Sequence, residues 1–190
     1  AALRAGDALM VIEPLSFKDK GRRAWQYQQG TRRVKAAPDL SFDTPLPSAA
    51  GNSTYDDLNV FSGSMERYDF RLVGRKEMYI PYNTYGMAYG STVEQVLKPG
   101  HLNPAVVRWE LHRVWVVEAT LREGMHHVYA RRVFYLDEDS WVAVASDQYD
   151  AQGRLFRSSF AFVTPSYEVP APLAVLYDIY DFRSGAYSLV

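Results

Sequence analysis

Apolar and polar residues alternate with a period of two along most of the 190-residue chain. Because successive side chains of a β-strand point to opposite faces, this period predicts strands rather than helices. The longest candidate strand spans 106–123, where Trp109 and Trp115 lie on one face and Glu110 and His112 lie on the other. The pattern therefore predicts a protein built mainly from strands.

Turn residues divide the rest of the pattern into shorter strands. The predicted elements are a hairpin of 22–28 and 31–36 around Gln29-Gly30, two strands within 67–82 separated by Gly74, a three-strand meander over 128–162, and a short strand within 180–189. The sequences DEDS (137–140) and DAQG (150–153) supply turn residues at the two corners of the meander.

Helix signals are few. Thr54 is a candidate N-cap for a short helix over 54–61. A second short helix is predicted over 90–97, with Ser91 as its cap and Glu94 completing a capping box.

The segment 37–53 is rich in Pro and Ser, and we expect it to form a long loop that acts as a flap. Successive antiparallel strands with few helices predict a mainly β fold. We expect a large curved antiparallel sheet or half-open β-barrel, with the short helices as a lid over a concave face that can hold an apolar ligand.

The composition narrows the class of protein. Fourteen Tyr, nine Phe and four Trp fit a β-rich protein and also a wide apolar cavity. A net charge of −1 argues against nucleic acid or an anionic membrane as the partner. The absence of cysteine excludes disulfides and thiolate metal sites. No apolar stretch is long enough to predict a transmembrane helix, and the first residues, which lack Met and a signal-peptide core, suggest a mature or trimmed product.

Several stretches together resemble a known family: AWQYQQGTRRVKAAP, YDDLNVFSG, YDFRLVGRKEMYIPYN and the long run from VWVVEATLRE to DAQGRLFR. They are similar, in this order, to domain-of-unknown-function family 1329, which comprises periplasmic proteins of the LolA/LolB-like superfamily of lipoprotein carriers. The resemblance implies a half-open antiparallel barrel with a helical lid and an apolar concavity for acyl chains. It also implies a location in the periplasm of a Gram-negative bacterium, beside a lipid exporter of the resistance–nodulation–division (RND) type. Because family members are longer, residues 1–190 are expected to form one domain, as the C-terminal portion of a longer protein.

Eight aromatic residues and one arginine are the candidate ligand-binding residues. The set is Trp25, Tyr27, Tyr68, Phe70, Trp109, Arg113, Trp115, Tyr135 and Trp141. The alternative for each aromatic residue is a place in the ordinary core between the sheet and its helices. Arg113 interrupts an apolar strand face, so we expect it to have a carboxylate partner or a polar ligand. A bulge in the strand, or extension of Arg113 to the rim, would also explain it.

The remaining charged and titratable residues carry no clear chemistry. The basic residues Arg22, Arg23, Arg32, Arg33 and Lys35 favour a solvated hairpin over a site for head groups or a partner protein.

Metal binding and catalysis both lack a motif in this sequence. Neighbouring histidines such as His126 and His127 point to opposite faces of a strand, and DEDS lacks the spaced oxygens of a calcium loop. We therefore predict no metal site and no cofactor. No motif for a nucleophilic, nucleotide-dependent or metal-dependent enzyme is present, so no enzyme is predicted.

These observations lead to one functional hypothesis and two alternatives. The first is a non-enzymatic periplasmic carrier for a lipid or acylated molecule. The second is a protein-interaction module with a packed, ligand-free interior that docks on an exporter or an outer-membrane protein. The third, an enzyme acting on lipid or glycan, would need a cluster of shifted acid–base groups inside the cavity.

Overall fold

The first part of the chain forms a small sheet of its own. The computed structural model describes residues 5–14, 21–37, 42–49 and 51–190. Strands β1 (Ala8–Ile12), β2 (Arg23–Gln28) and β3 (Arg33–Ala36) pair antiparallel in the order β1-β2-β3. The predicted hairpin is confirmed as β2 and β3, whereas β1 was not predicted.

From residue 68 onward, the chain forms one large sheet together with two short helices and a small hairpin. Its elements are β4 (Tyr68–Pro81), α1 (Tyr85–Gly90), α2 (Val93–Val96), β5 (Leu97–Lys98), β6 (His101–Leu102), β7 (Trp109–Leu121), β8 (Arg131–Asp137), β9 (Ala143–Tyr149), β10 (Leu155–Ser166), β11 (Ala171–Asp181) and β12 (Ala186–Leu189). Seven strands pair antiparallel in the order β12-β11-β10-β9-β8-β7-β4, and β5 pairs with β6 as a separate hairpin. The predicted mainly β fold with a large antiparallel sheet is confirmed, and the sheet is open rather than closed into a barrel.

The large sheet is strongly curved. Strands β4 and β10 lie four places apart in the sheet order, yet Ile80 of β4 and Val163 of β10 belong to one buried cluster. Just after β4, the backbone N–H of Thr84 donates to the carbonyl of Val163 at 2.9 Å. The end of β4 therefore curls over the concave side of the sheet until it meets β10.

Two sequence predictions about the strands need correction. Residues 68–81 form one continuous strand, because the register shift between Leu72 and Gly74 is a bulge that the pairing with β7 continues across. Strand β11 (Ala171–Asp181) was missed, because its apolar run lacks a clear alternation and carries Pro172 near its start. The short strand predicted within 180–189 corresponds to β12.

Both predicted helices exist in shortened form. Thr54 caps a single 3-10 turn, Tyr55–Asp57, and its capping box closes through Asp57. In α2 the cap is Thr92 with Gln95, rather than Ser91 with Glu94. Helix α1 was not predicted, because glycine residues weaken its helical pattern at both ends. None of the helices in the described parts of the chain is long and apolar enough to span a bilayer.

The two faces of the large sheet are covered by different parts of the chain. One face, here called the network face, carries Phe134 and Ala161, which pack under Val60 and its neighbours in the segment before β4. The other face, here called the cavity face, carries Phe162, which packs under Met87 of α1 and neighbouring residues. Strand alternation puts these two sets of side chains on opposite sides of the sheet.

The predicted flap lies partly outside the described residues, since 38–41 and residue 50 are not among them. In the described part, Leu46 and Ala49 are buried with Tyr55 in a small cluster. The carbonyl of Gly51 accepts a hydrogen bond from Arg157, a residue of the network face. This part of the loop therefore covers the network face and not the cavity face.

Arg22 also departs from expectation. The basic pattern of the hairpin predicts a solvated side chain, but the Arg22 side chain is almost fully buried. It pairs with Glu13 at 2.7 Å and lies over the rings of Phe42 and Tyr55. Arg22 therefore links the small N-terminal sheet to the segment that covers the network face.

The segment that covers the network face includes Asp56, Asp57 and Val60, and a buried charged network holds it on the sheet. Arg132 of β8 has no solvent exposure, and its Nη2 donates to Asp56 at 2.8 Å and to Asp57 at 3.3 Å. Burial raises the pKa of Asp56, but the Arg132 guanidinium, together with His127, outweighs burial and lowers that pKa to about 2. Burial raises the pKa of Asp57 above its usual value, and Arg132 offsets only part of this.

The network continues along the network face through Tyr129. Its hydroxyl donates to Asp57 at 2.7 Å and accepts from Arg157 at 2.8 Å. Arg157 in turn donates to Asp181 at 2.9 Å. The chain of hydrogen bonds therefore links the covering segment to strands β10 and β11.

Replacement of the central cation should destabilise the fold. We expect Arg132→Met to lower the free energy of unfolding by about 3–5 kcal/mol, because it leaves two buried carboxylates without their cation. Urea unfolding monitored by circular dichroism would measure the change. Arg71→Met is the matched control, because Arg71 is largely exposed and pairs with Glu118 at the surface; it should cost less than about 1 kcal/mol. Equal losses in the two variants would contradict this account of the network.

Candidate functional site

A cavity of about 230 Å³ opens on the cavity face of the large sheet. Its walls are mostly apolar and come from the chain between α2 and β7 and from strands β7, β10 and β11. The lining residues are Leu102, Pro104, Val107, Trp109, Phe160, Phe162, Asp178 and Tyr180. Apolar walls with a few polar groups are the usual construction of a site for a small apolar ligand.

Two aromatic contacts shape the wall of the cavity. The ring of Trp109 meets Phe160 edge-to-face with centroids 5.9 Å apart, and Phe160 meets Tyr180 in the same manner at 6.4 Å. Trp109 is 40% exposed, so part of its indole remains open to solvent at the rim. The indole therefore offers apolar surface to a molecule entering the cavity.

Asp178 is the only carboxyl group among the lining residues. The residue is 4% exposed, and its Oδ1 accepts a hydrogen bond from the backbone N–H of Phe160 at 2.8 Å. Burial raises the pKa of Asp178 to about 7, and the bonds from Phe160 and Tyr180 offset only part of this shift. The group therefore changes its charge within the physiological range of pH.

The hairpin of β5 and β6 forms the roof of the cavity, and two tyrosine hydroxyl groups bind it to the sheet. The Tyr180 hydroxyl accepts from the backbone N–H of Leu102 at 3.2 Å. The Tyr187 hydroxyl accepts from the N–H of Lys98 at 3.1 Å and donates to its carbonyl at 2.8 Å. The Tyr180 and Tyr187 rings stack at 5.5 Å. Burial, with a contribution from Asp178, raises the pKa of Tyr180 to about 12, so this hydroxyl keeps its proton at neutral pH.

A second, more superficial cavity lies at the far end of β10 and β11. It measures about 380 Å³, and its lining residues are Tyr82, Asn83, Val163, Pro165, Ser166, Tyr167, Pro170, Ala171 and Pro172. Tyr167 is 79% exposed, and much of this lining belongs to the turn between the two strands. The smaller cavity is set deeper into the core, and we take it as the candidate site.

The structure distributes the nine candidate residues over several places. Trp109 alone lines the candidate cavity. Trp25 and Tyr27 lie half-buried on β2 in the small N-terminal sheet. Tyr68 is buried in the core of the network face, with Phe70 next to it at the surface.

Tyr135 lies on the cavity face but outside the cavity. Its hydroxyl donates to Asp147 at 2.8 Å, and Lys76 lies over its ring at 4.3 Å. Burial raises the pKa of Tyr135 well above its usual value. The hydroxyl is therefore neutral and serves a local contact between β8 and β9.

Arg113, Trp115 and Trp141 come together in one surface cluster. Arg113 pairs with Glu138 and is exposed, so the predicted carboxylate partner exists, at the surface. The Trp115 and Trp141 rings stack at 6.5 Å, and Arg75 lies over Trp115 at 4.8 Å. The part that these residues play in ligand binding stays a prediction.

One group of side chains has the donor types of a metal site. Ligand atoms of His112, Asp137 and Asp139 lie within 4.8 Å of one another. Asp137 accepts from the Ser140 hydroxyl at 2.6 Å and lies 2.8 Å from Nδ1 of His112. These bonds already account for the position of Asp137 as part of the turn after β8.

The sequence contained a signal for Asp178 that went unused. The residue interrupts an apolar strand face between Leu176 and Tyr180, as Arg113 interrupts another such face. Only the recognition of β11 as a strand would have made this interruption visible.

Comparisons with known proteins place the chain among relatives without an assigned activity. The model of a family described as "Protein of unknown function (DUF1329)" matches residues 2–190. An uncharacterized protein of Pseudomonas aeruginosa is 42% identical over 184 residues, which are 96% of this chain and 40% of that protein. The chain therefore spans well under half the length of this curated relative.

Solved structures share the fold at low sequence identity. A crystal structure of a DUF1329 family protein from Desulfovibrio piger matches with a TM-score of 0.65 and 15% identity, covering 100% of this chain and 64% of that one. A structure described as a "putative outer membrane lipoprotein-sorting protein domain" from Vibrio parahaemolyticus matches with a TM-score of 0.62 and 16% identity, covering 97% and 61%. The chain therefore has a fold like that of a lipoprotein-sorting domain.

The buried carboxyl group should make stability depend on pH. The pKa of Asp178 is about 7 in the folded state against a usual value of 3.8, so its favourable contribution is complete at low pH and is lost as pH rises to 7. We expect Asp178→Asn to raise the free energy of unfolding relative to the wild type by up to about 4 kcal/mol at pH 8, and by little at pH 4. Urea unfolding at both pH values would measure the difference. A difference that does not grow with pH would show that the carboxyl group is not desolvated.

Proposed function

We propose that this chain, which belongs to the DUF1329 family of proteins of unknown function, is part of a carrier for an apolar, lipid-like molecule. The observation that carries the proposal is the cavity of about 230 Å³ beneath Trp109, walled by Phe160, Phe162 and Val107. Burial of an apolar chain against such walls is favourable by about 0.8 kcal/mol for each CH₂ group. The cavity therefore suits an acyl chain or a similar apolar segment.

The size of the cavity sets what this chain can hold by itself. Sites for drug-sized ligands measure roughly 300–1,000 Å³, and this cavity is somewhat smaller. We infer that it accommodates one end of an acyl chain. In the longer relatives, segments outside the matched part would cover the remainder of such a ligand.

The position of the cavity suits uptake and release. The roof is a short hairpin, β5 and β6, which is fastened to the sheet by the hydroxyl groups of Tyr180 and Tyr187. Few hydrogen bonds must break for this hairpin to lift, so a ligand can exchange without unfolding of the sheet.

The proposed carrier works in the cell envelope. The fold resemblance to a lipoprotein-sorting domain supports work in the periplasm of a Gram-negative bacterium. An exporter of the RND type or an outer-membrane protein is the proposed partner. The carrier would act without catalysis, because the lining offers Asp178 and Tyr180 but no nucleophile paired with a base.

A protein-interaction module is the second candidate. It is favoured by the surface cluster, in which Trp141 is 66% exposed and stacks on Trp115. Exposed tryptophan beside arginine is a common composition for the centre of a protein interface. An occupied cavity would favour the carrier, and a cavity that stays empty would favour the interaction module.

Substitution of one tryptophan at a time would separate the two candidates. We expect Trp109→Ala to weaken binding of a fluorescent fatty acid about tenfold, which corresponds to about 1.4 kcal/mol, because it removes one wall of the cavity. Trp141→Ala is the matched control and should leave the dissociation constant unchanged. Fluorescence titration of both variants and of the wild type would measure these effects.

Native mass spectrometry of the purified protein, with analysis of its organic extract, would identify a bound molecule directly. A lipid at close to one per protein would support the carrier. Neither a bound lipid nor any binding of the fluorescent fatty acid would contradict it. Weakening by Trp141→Ala and not by Trp109→Ala would move the ligand to the surface cluster.

A further inference from the structure

The cavity contains a group that a purely apolar site would not need. Asp178, in the second half of β11, lies among Phe160, Phe162 and Leu102, and it has no cation among the lining residues. A buried carboxylate without a cation is unfavourable, whereas a neutral carboxylic acid tolerates the same surroundings. The geometry of the cavity therefore selects the protonated form.

We propose that the cavity binds an apolar chain against Asp178 in its neutral carboxylic acid form, so that binding takes up a proton and release returns it. This inference rests on the proposed carrier function and specifies its ligand: an uncharged apolar segment rather than a cationic or anionic head group. The proton comes from the solvent and goes back to it, and no other group is oxidised, reduced or transferred.

Binding of an apolar chain changes the remaining hydration of Asp178. In the unoccupied cavity, water that enters from the Trp109 side can still solvate the carboxylate. An apolar chain displaces this water and offers no hydrogen bond in return, so the charged form loses more free energy than the neutral form. Binding of the chain therefore favours protonation, and by linkage protonation favours binding.

The other ionisable groups around the cavity do not supply a compensating charge. Those on the neighbouring elements include Tyr177, Tyr180 and Asp181 on β11, Arg157 on β10, Tyr187 on β12, Lys98 and His101 in the roof hairpin, Glu94 on α2, and, on the opposite face, Asp57. Arg157 lies on the network face, where it donates to Asp181 at 2.9 Å. Lys98 is directed away, since its Nζ donates to the carbonyl of Glu94 at 2.8 Å. The Tyr180 and Tyr187 hydroxyl groups are hydrogen-bonded to the backbone of the roof hairpin.

The pH dependence has a definite sign. The carboxyl group is mostly protonated below a pKa of about 7 in the unoccupied cavity. Above this value, binding must first neutralise it, so the affinity for an apolar chain should fall by up to about tenfold for each unit of pH. Below pH 6 the affinity should be constant.

The test uses a probe that does not itself titrate in this range. We would titrate the protein with the neutral dye N-phenyl-1-naphthylamine at pH values from 5.5 to 8.5. The wild type should bind at low pH and lose affinity above pH 7. Asp178→Asn, which keeps the shape of the side chain and cannot ionise, should bind with the low-pH affinity throughout. Asp69→Asn, at an exposed position, should behave as the wild type.

A second measurement does not depend on any variant. Calorimetric titration of the wild type at pH 7.5, in two buffers with different enthalpies of ionisation, reports the number of protons taken up on binding. At pH 7.5 we expect each binding event to take up a fraction of one proton, and at pH 5.5 we expect no uptake. An uptake of zero at pH 7.5 would overturn the inference even if Asp178→Asn does not fold.

The outcomes distinguish this inference from the proposed function. Binding with an affinity that does not change with pH, or a slope that Asp178→Asn retains, overturns the role of Asp178 and leaves the carrier standing. Absence of binding at every pH overturns both. Binding that is lost above pH 7 in the wild type and in Asp69→Asn, but not in Asp178→Asn, supports both.

Discussion

The removal of Arg132 from solvent is the constraint around which the sheet is assembled. A guanidinium group near the start of β8 has no access to water, and its charge has to be balanced within the protein. The carboxylates of Asp56 and Asp57 provide this balance, and they belong to a segment that precedes the sheet in the chain. The charge of one strand residue therefore dictates which part of the chain covers the network face.

The opposite face is closed by a different kind of interaction, and this difference explains where the cavity lies. Apolar contacts and two tyrosine hydroxyl groups hold the helices and the roof hairpin over Phe160 and Phe162. Such contacts lack the fixed direction of hydrogen bonds between charged groups, so they leave space more readily. Asp178 lies in that space without a counter-charge, whereas the carboxylates of the network face are paired with arginine.

Local patterns predicted much of the framework and little of the site. The hairpin of β2 and β3 and the meander of β8, β9 and β10 follow from alternation and turn residues, which act over a few positions. Strand β11 has neither a clear alternation nor a sharp boundary, so it was missed, and Asp178 with it. Of the nine residues predicted to bind a ligand, Trp109 alone lines the cavity. The reason is that alternation with a period of two assigns a side chain to one face of a strand but does not specify what covers that face.

The sequence by itself determined the class of fold, the positions of most strands along the chain and the membership of a family, since all three depend on patterns read along the chain. Tertiary structure alone decided that Arg132 is balanced by residues 75 and 76 positions earlier. It also decided that Trp109 and Asp178, on β7 and β11, line one cavity. The physical reason is packing between parts of the chain that are far apart in sequence. A segment that precedes the sheet packs on its network face, and the folding of the sheet brings β7 close to β11, and no local pattern records either contact.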